Sequence, residues 1–221
     1  MSRPWKTLGR IATSDGELEL RRRGPDDFLI TIAGRVLMNS RANRSEQVLG
    51  ERAALEVATR PRPRVMVGGL GMACTLRAAL DALPPDAEVV VAELHEGIVG
   101  WCRGPLAELT DGAVSDPRVR LELGDVANAI QRAEAGSLDA LVLDLYEGPA
   151  PGARSRQDPH FGERALAAAH RALAPGGVLA VWAEDPDPAF EDRLRKVGFQ
   201  VSHDRPGRGG RRHVVYLATR I

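Results

Sequence analysis

The chain has 221 residues, of which 30 are basic and 30 acidic, and 43% are hydrophobic. That length buries one good core with a small appendage at most, and the cancelled charge leaves no global field to draw nucleic acid or a membrane surface. Its two cysteines, Cys74 and Cys102, give neither a zinc spacing nor a disulfide framework.

The opening Met1-Ser-Arg-Pro-Trp5 lacks the apolar region of a signal peptide. No apolar run approaches the ~20 residues that span a bilayer, so a cytoplasmic protein without a membrane partner is expected. Residues 18–22 and 28–33 flank a Gly24-Pro25-Asp26-Asp27 turn and predict a hairpin, continued by 35–38 after Gly34. Ser45 is placed to N-cap a helix through 46–49 and 52–58, interrupted at Gly50. Arg60-Pro-Arg-Pro63 then breaks the chain. Residues 1–48 are expected to form an N-terminal β element, and 49–221 a larger domain.

From Val65 onward, predicted strands and helices alternate. Strand 65–67 leads to helix 75–83, strand 89–92 to a helix near 97–109, and strand 119–123 to helix 126–133. Strand 140–143 is followed by helix 162–173, strand 178–182 by helix 189–197, and segments 199–202 and 213–218 close as an antiparallel pair. Such repeats predict an α/β fold with a mostly parallel sheet covered on both faces. Ligands of these sheets bind beyond the carboxyl ends of the strands.

Four features fall at those ends. The turn Gly68-Gly-Leu-Gly71 follows the first strand, where close backbone approach to a nucleotide-like ligand needs glycine. Glu93 closes the next strand, and an acid at this spacing can accept bonds from both ribose hydroxyls of an adenosine group. Asp125 follows Gly124, and Asp144 ends the fourth strand. All four are expected on one rim. The five histidines show no metal spacing, so no metal is expected; His160, beside a loop, is the one to follow.

This order of features resembles the class I S-adenosylmethionine-dependent transferases, including the Pro175-Gly176-Gly177 turn before the fifth strand. More closely, the chain is similar to the spermidine-synthase-like family. The residues that carry the likeness are Leu37-Met-Asn-Ser40, Ser45-Glu46, Thr75-Leu-Arg77, Asp116-Pro-Arg-Val119 and Asp144-Leu-Tyr-Glu-Gly-Pro149. The resemblance implies a Rossmann-like, seven-stranded S-adenosylmethionine-binding domain. Gly69, Gly71, Met72, Glu93, Leu94, Asp125, Val126 and Asp144 would hold the cofactor. Glu93 would take the ribose, Asp125 the adenine amine and Val126 N–H the ring. Asp144 would act on the nucleophile, with Tyr146 and Glu147 touching the acceptor, and residues 148–158 would form a lid or a plain surface loop. The family's pairing through its N-terminal β segment implies a homodimer.

Two departures from the family pattern bear on function. Anchored on Thr75-Leu-Arg77, the turn's usual aspartate falls on Met72. In the family that acid pairs with the ammonium of decarboxylated S-adenosylmethionine and would repel the carboxylate of the intact cofactor. Two like charges at ~4 Å cost about 1 kcal/mol in water and several times more in a partly dry cleft. The family's Tyr-His-Glu triplet appears as Ser45-Glu46-Gln47, so a strict diamine site is not expected. The first reading is an S-adenosylmethionine-dependent methyltransferase acting on nitrogen or oxygen of a small molecule or peptide. The alternatives are a polyamine aminopropyltransferase using the decarboxylated cofactor, and a catalytically silent nucleoside-binding relative.

Overall fold

The computed structural model describes residues 3–146, 148–149, 157–206 and 213–221. An antiparallel meander opens the chain: β1 (Lys6–Thr13), β2 (Gly16–Arg23), β3 (Asp27–Ile32) and β4 (Arg35–Asn39). β2 to β4 occupy the predicted hairpin and its continuation. β1 was not foreseen, because its positions alternate between half-buried and exposed rather than between apolar and polar.

Helix α1 (Arg44–Leu55) follows and runs unbroken through Gly50. Ser45 is not its cap; the helix starts at Arg44 and Asn43 holds the cap position. Gly50 is no breaker either. A Cβ there would lie 2.2 Å from the Thr75 carbonyl oxygen, so glycine is what lets α1 press its backbone against the next helix.

The remaining elements are β5 (Arg64–Gly68), α2 (Cys74–Ala82), β6 (Glu88–Glu93), α3 (Glu96–Arg103), β7 (Val119–Leu123) and α4 (Val126–Arg132). Then come β8 (Leu138–Leu143), α5 (Glu163–Ala172), β9 (Leu173–Ala183), α6 (Pro188–Val197), β10 (Phe199–Asp204) and β11 (Val214–Arg220). They build a seven-stranded sheet in the order β10-β11-β9-β8-β5-β6-β7, in which β11 alone runs opposite to the other six strands. The expected Rossmann-like fold is therefore present. α3 stops at Arg103 rather than 109, and β9 begins at Leu173, so Pro175-Gly-Gly lies within that strand's bounds rather than before it.

Period-2 alternation feeds two cores. Val65, Val67, Ala140 and Val142 face α1, α2 and the N-terminal sheet, whereas Met66, Leu141 and Leu143 face α4, α5 and α6. Leu20, Phe28 and Ile30 of the first sheet join the former core, which fixes that sheet as a roof over the carboxyl ends of the strands.

The Asp116-Pro-Arg segment is a clamp. Arg118 donates to the carbonyls of Leu80, Leu83 and Pro84 at 3.0, 3.1 and 3.4 Å, satisfying the end of α2 and the turn after it. Asp116 grips the same guanidinium through both oxygens, and that contact holds its carboxyl down at about 2. Among the described residues no helix is long and apolar enough to cross a membrane, and no group of three or more His, Cys, Asp or Glu is placed to hold a metal.

Candidate active site

The chain runs outward from β5 through β6 to β7 and returns to β8 on the other side of β5, so the connectivity reverses between β5 and β8. A cavity of about 430 Å³ opens beside this switch point, where such sheets bind ligands. Gly69, Gly71, Glu93, Leu94, Asp125, Val126, Asp144 and Tyr146 all line it. Two predicted residues differ. Glu147 lies outside the described residues, as do 150–156 of the predicted lid. Met72 does not line the cavity: it is 1% exposed and belongs to the core. Ala73, held at φ +62°, turns the chain there and leaves Met72 on the inner side.

The turn after β5 is pulled into place by Glu93. One carboxylate oxygen accepts the Leu70 N–H at 2.9 Å and the other accepts the His95 N–H at 2.8 Å. Glu93 is thus a buried structural acceptor as well as a cavity wall, and each oxygen keeps a lone pair for a hydroxyl donor. Gly69 and Gly71 have φ of +42° and +51°. A Cβ on Gly71 would come within 2.5 Å of the Met38 sulfur, so the roof strand β4 rests directly on the turn.

Asp125 has two duties. Its Oδ1 accepts the Ala127 N–H at 2.8 Å, capping α4, and lies 3.0 Å from His160 Nε2. His160 thereby reaches the cavity from the segment before α5. Leu94 is 61% exposed although apolar; with Ile98 and Val126 it forms an apolar wall between Glu93 and Asp125. An apolar slot thus lies beside two acids, Glu93 and Asp125, on the wall of one cavity.

Asp144 sits at the floor. Its N–H donates to the Gly68 carbonyl at 2.7 Å and its Oδ2 accepts from Thr75 Oγ1 at 2.5 Å. Burial, and next to it the nearby Glu46 charge, push its carboxyl up to about 7, against the opposing Thr75 bond. Tyr146 stands at the mouth, 42% exposed, with the Arg35 guanidinium 5.5 Å over its ring.

Sequence reasoning missed several wall residues. Asp15, Leu18, Ile30 and Ile32 come from the roof and Trp182 from β9, whereas Asp158 falls in the segment expected as a lid or surface loop. Trp182 is half-buried and also lines the cavity. The roof residues carried no signal beyond strand periodicity.

Sheet order, roof and rim together define a Rossmann-like α/β fold with a cavity at its strand ends. No protein-family model matches the chain. The polyamine aminopropyltransferase of Nitrosomonas europaea is 35% identical over 128 residues, 57% of this chain and 36% of that protein. Putrescine N-methyltransferase 3 of Nicotiana tabacum is 32% identical over 131 residues, 59% of this chain and 32% of that protein. The matched stretch thus spans about a third of these relatives' length. The spermidine synthase structure from Thermotoga maritima superposes over 97% of this chain and 72% of that one, with a TM-score of 0.75 and 17% identity. A probable spermidine synthase from Corynebacterium glutamicum does so with a TM-score of 0.69 and 19% identity, over 97% of this chain and 79% of its own. In fold, and over the matched stretch of its sequence, the chain is similar to the spermidine-synthase-like class I S-adenosylmethionine-dependent transferases.

Proposed function

We propose that the protein binds S-adenosylmethionine along this rim and catalyses transfer of its methyl group to an amine nitrogen of a small molecule or peptide. The observation that carries the reading is one cavity joining Gly69, Glu93, Asp125 and Asp144. When bound, the sulfonium group supplies an activated carbon, its C–S bond breaking as the new bond to nitrogen forms. What remains for the protein is positioning, exclusion of water and one proton transfer.

Glu93 would receive the ribose hydroxyls, Asp125 the exocyclic amine of the base, and Leu94, Ile98 and Val126 the ring faces. Asp144, with a carboxyl near 7, is partly ionised at neutral pH and accepts the proton an ammonium must shed before its lone pair can attack. Nitrogen is preferred over oxygen because a carboxylate floor attracts a cationic acceptor and gives a neutral alcohol little. Methyl transfer is favoured because the glycine turn brings no carboxylate into the cavity, position 72 being a buried methionine.

Aminopropyl transfer from decarboxylated S-adenosylmethionine is the second reading, and the cavity's charge favours it. Asp15, Glu46, Asp144 and Asp158 line the space, and among the described lining residues there is no Lys or Arg to receive the carboxylate of the intact cofactor. The names of the relatives include both activities. Titration calorimetry with the two donors decides. Methyl transfer requires the intact cofactor to bind at least about tenfold tighter, a difference of ~1.4 kcal/mol. The opposite preference replaces it with aminopropyl transfer, and binding of the nucleosides with no transfer from either donor leaves the silent relative. A homodimer belongs to the same proposal and is tested by light scattering.

A further inference from the structure

Ser45, on the first turn of α1, sits in a hydrogen-bond network that no helix end requires. Its single hydroxyl hydrogen is donated to Glu46 Oε2 at 2.6 Å. Trp182 Nε1, which can only donate, reaches Ser45 Oγ at 3.1 Å. His213 Nδ1 lies 3.1 Å from the same oxygen. With the serine hydrogen committed, His213 must donate from Nδ1, and all three bonding directions of Oγ are then used. The indole and imidazole rings meet edge to face at 4.7 Å, so the two donors also brace each other. Three distant parts of the chain, α1, β9 and the residue before β11, therefore converge on one oxygen.

The product of that convergence is the orientation of Glu46. Its residue is 9% exposed and lines the cavity. Thr75 Oγ1 donates to Asp144 Oδ2 at 2.5 Å and lies 3.3 Å from the Glu46 backbone carbonyl oxygen, so the Glu46 backbone and the Asp144 carboxylate meet at one hydroxyl. We propose that Glu46 is a specificity-determining residue, a second carboxylate facing Asp144 across the acceptor's nitrogen, and that Ser45, braced by Trp182 and His213, is the residue that positions it. The proposal rests on the amine-transfer reading above and deepens it.

The geometry assigns the two acids different work. Asp144 takes the proton. Glu46, with one oxygen fixed by Ser45, keeps the cavity anionic while that happens, so an ammonium is drawn in and a neutral isostere is not. Removing the Ser45 hydroxyl leaves Glu46 in place chemically but releases it from its orientation. It also leaves the Trp182 and His213 donors without their acceptor.

The test is calorimetry on the full chain saturated with S-adenosylhomocysteine or 5′-methylthioadenosine, using putrescine, n-butylamine and 1-butanol as probes. The amines are expected to bind and butanol not to. Glu46→Gln keeps the shape and the bond from Ser45, and is expected to weaken amine binding about tenfold with nucleoside affinity unchanged. Ser45→Ala is expected to cost a similar factor, and Ser45→Ala/Glu46→Gln no more than Glu46→Gln alone, because Ser45 acts through Glu46. Glu46→Gln is also expected to lower the apparent pKa of Asp144 in the pH profile of amine binding; the other titrating groups around it are Cys74 and, through Ser45, His213. Unchanged amine affinity in Glu46→Gln, strictly additive losses, or failure of both amines to bind the nucleoside complex would overturn the inference. Failure of the nucleosides themselves to bind would show the underlying reading to be wrong first.

Discussion

Thr75 Oγ1 lies 2.5 Å from Asp144 Oδ2, so the first turn of α2 and the end of β8 meet at the floor of the cavity through one hydroxyl. This bond is the link between the glycine turn and the proposed proton acceptor.

Asp144 sets a pH dependence whose sign follows from its raised carboxyl. Only the ionised form accepts a proton, so turnover is expected to rise with pH through about 7. The same shift means that folding favours the protonated acid. That contribution is complete below the ordinary carboxylate range and is lost as pH climbs through about 7. Asp144→Asn is therefore expected to abolish turnover, leave nucleoside affinity intact, and melt above the wild type by a margin that grows from pH 5 to pH 8. A melting difference independent of pH would contradict this.

Glu93→Ala is expected to harm both fold and ligand binding. It strands the Leu70 and His95 N–H groups, at a cost of about 1–3 kcal/mol. It also frees the turn, so S-adenosylhomocysteine affinity should fall by more than tenfold in calorimetry, while Glu93→Gln, which keeps one acceptor oxygen, should lose less.

Gly50→Ala reverses the usual rule. In an open helix the change stabilises by roughly 0.5–1 kcal/mol. Here the new methyl would lie 2.2 Å from the Thr75 carbonyl oxygen, so α1 must back away from α2. A loss of about 1–3 kcal/mol in denaturant unfolding is expected, together with weaker binding, since Thr75 moves with the helix.

Arg118→Ala provides the contrast. It removes the donor from three carbonyls after α2 and leaves Asp116 without its cation. Stability is expected to fall by about 1–3 kcal/mol, with ligand affinity unchanged, because the clamp sits at the end of α2 away from the cavity.

Met72→Asp tests the corrected placement of that residue. With 1% exposure, a carboxylate there has no water and must protonate or unfold its surroundings. The expected first effect is a lowered melting temperature at pH 8, partly recovered at pH 5. A stable variant that binds the decarboxylated donor more tightly would instead put position 72 back at the ligand.

The rim was legible because each of its residues follows a strand, and the carboxyl ends of parallel strands share one edge. Glu93, Asp125 and Asp144 needed no knowledge of side-chain contacts to be placed together. Ser45 was misread for the opposite reason: its partners Trp182 and His213 lie 137 and 168 residues away, beyond any local pattern. Gly50 looked like an interruption because propensity does not register another helix's backbone. Met72 was read from motif spacing as a cofactor residue, but its side chain lies in the core, beside the left-handed Ala73.

The backbone contact at Gly50 has a consequence for motion. A helix seated against its neighbour without an intervening side chain has no lubricating layer, and α1 carries the roof strands at its amino end. Roof and floor should then rise and fall as a single body, so a bulkier acceptor gains space through side-chain rotation near Tyr146 rather than by a hinge swinging open.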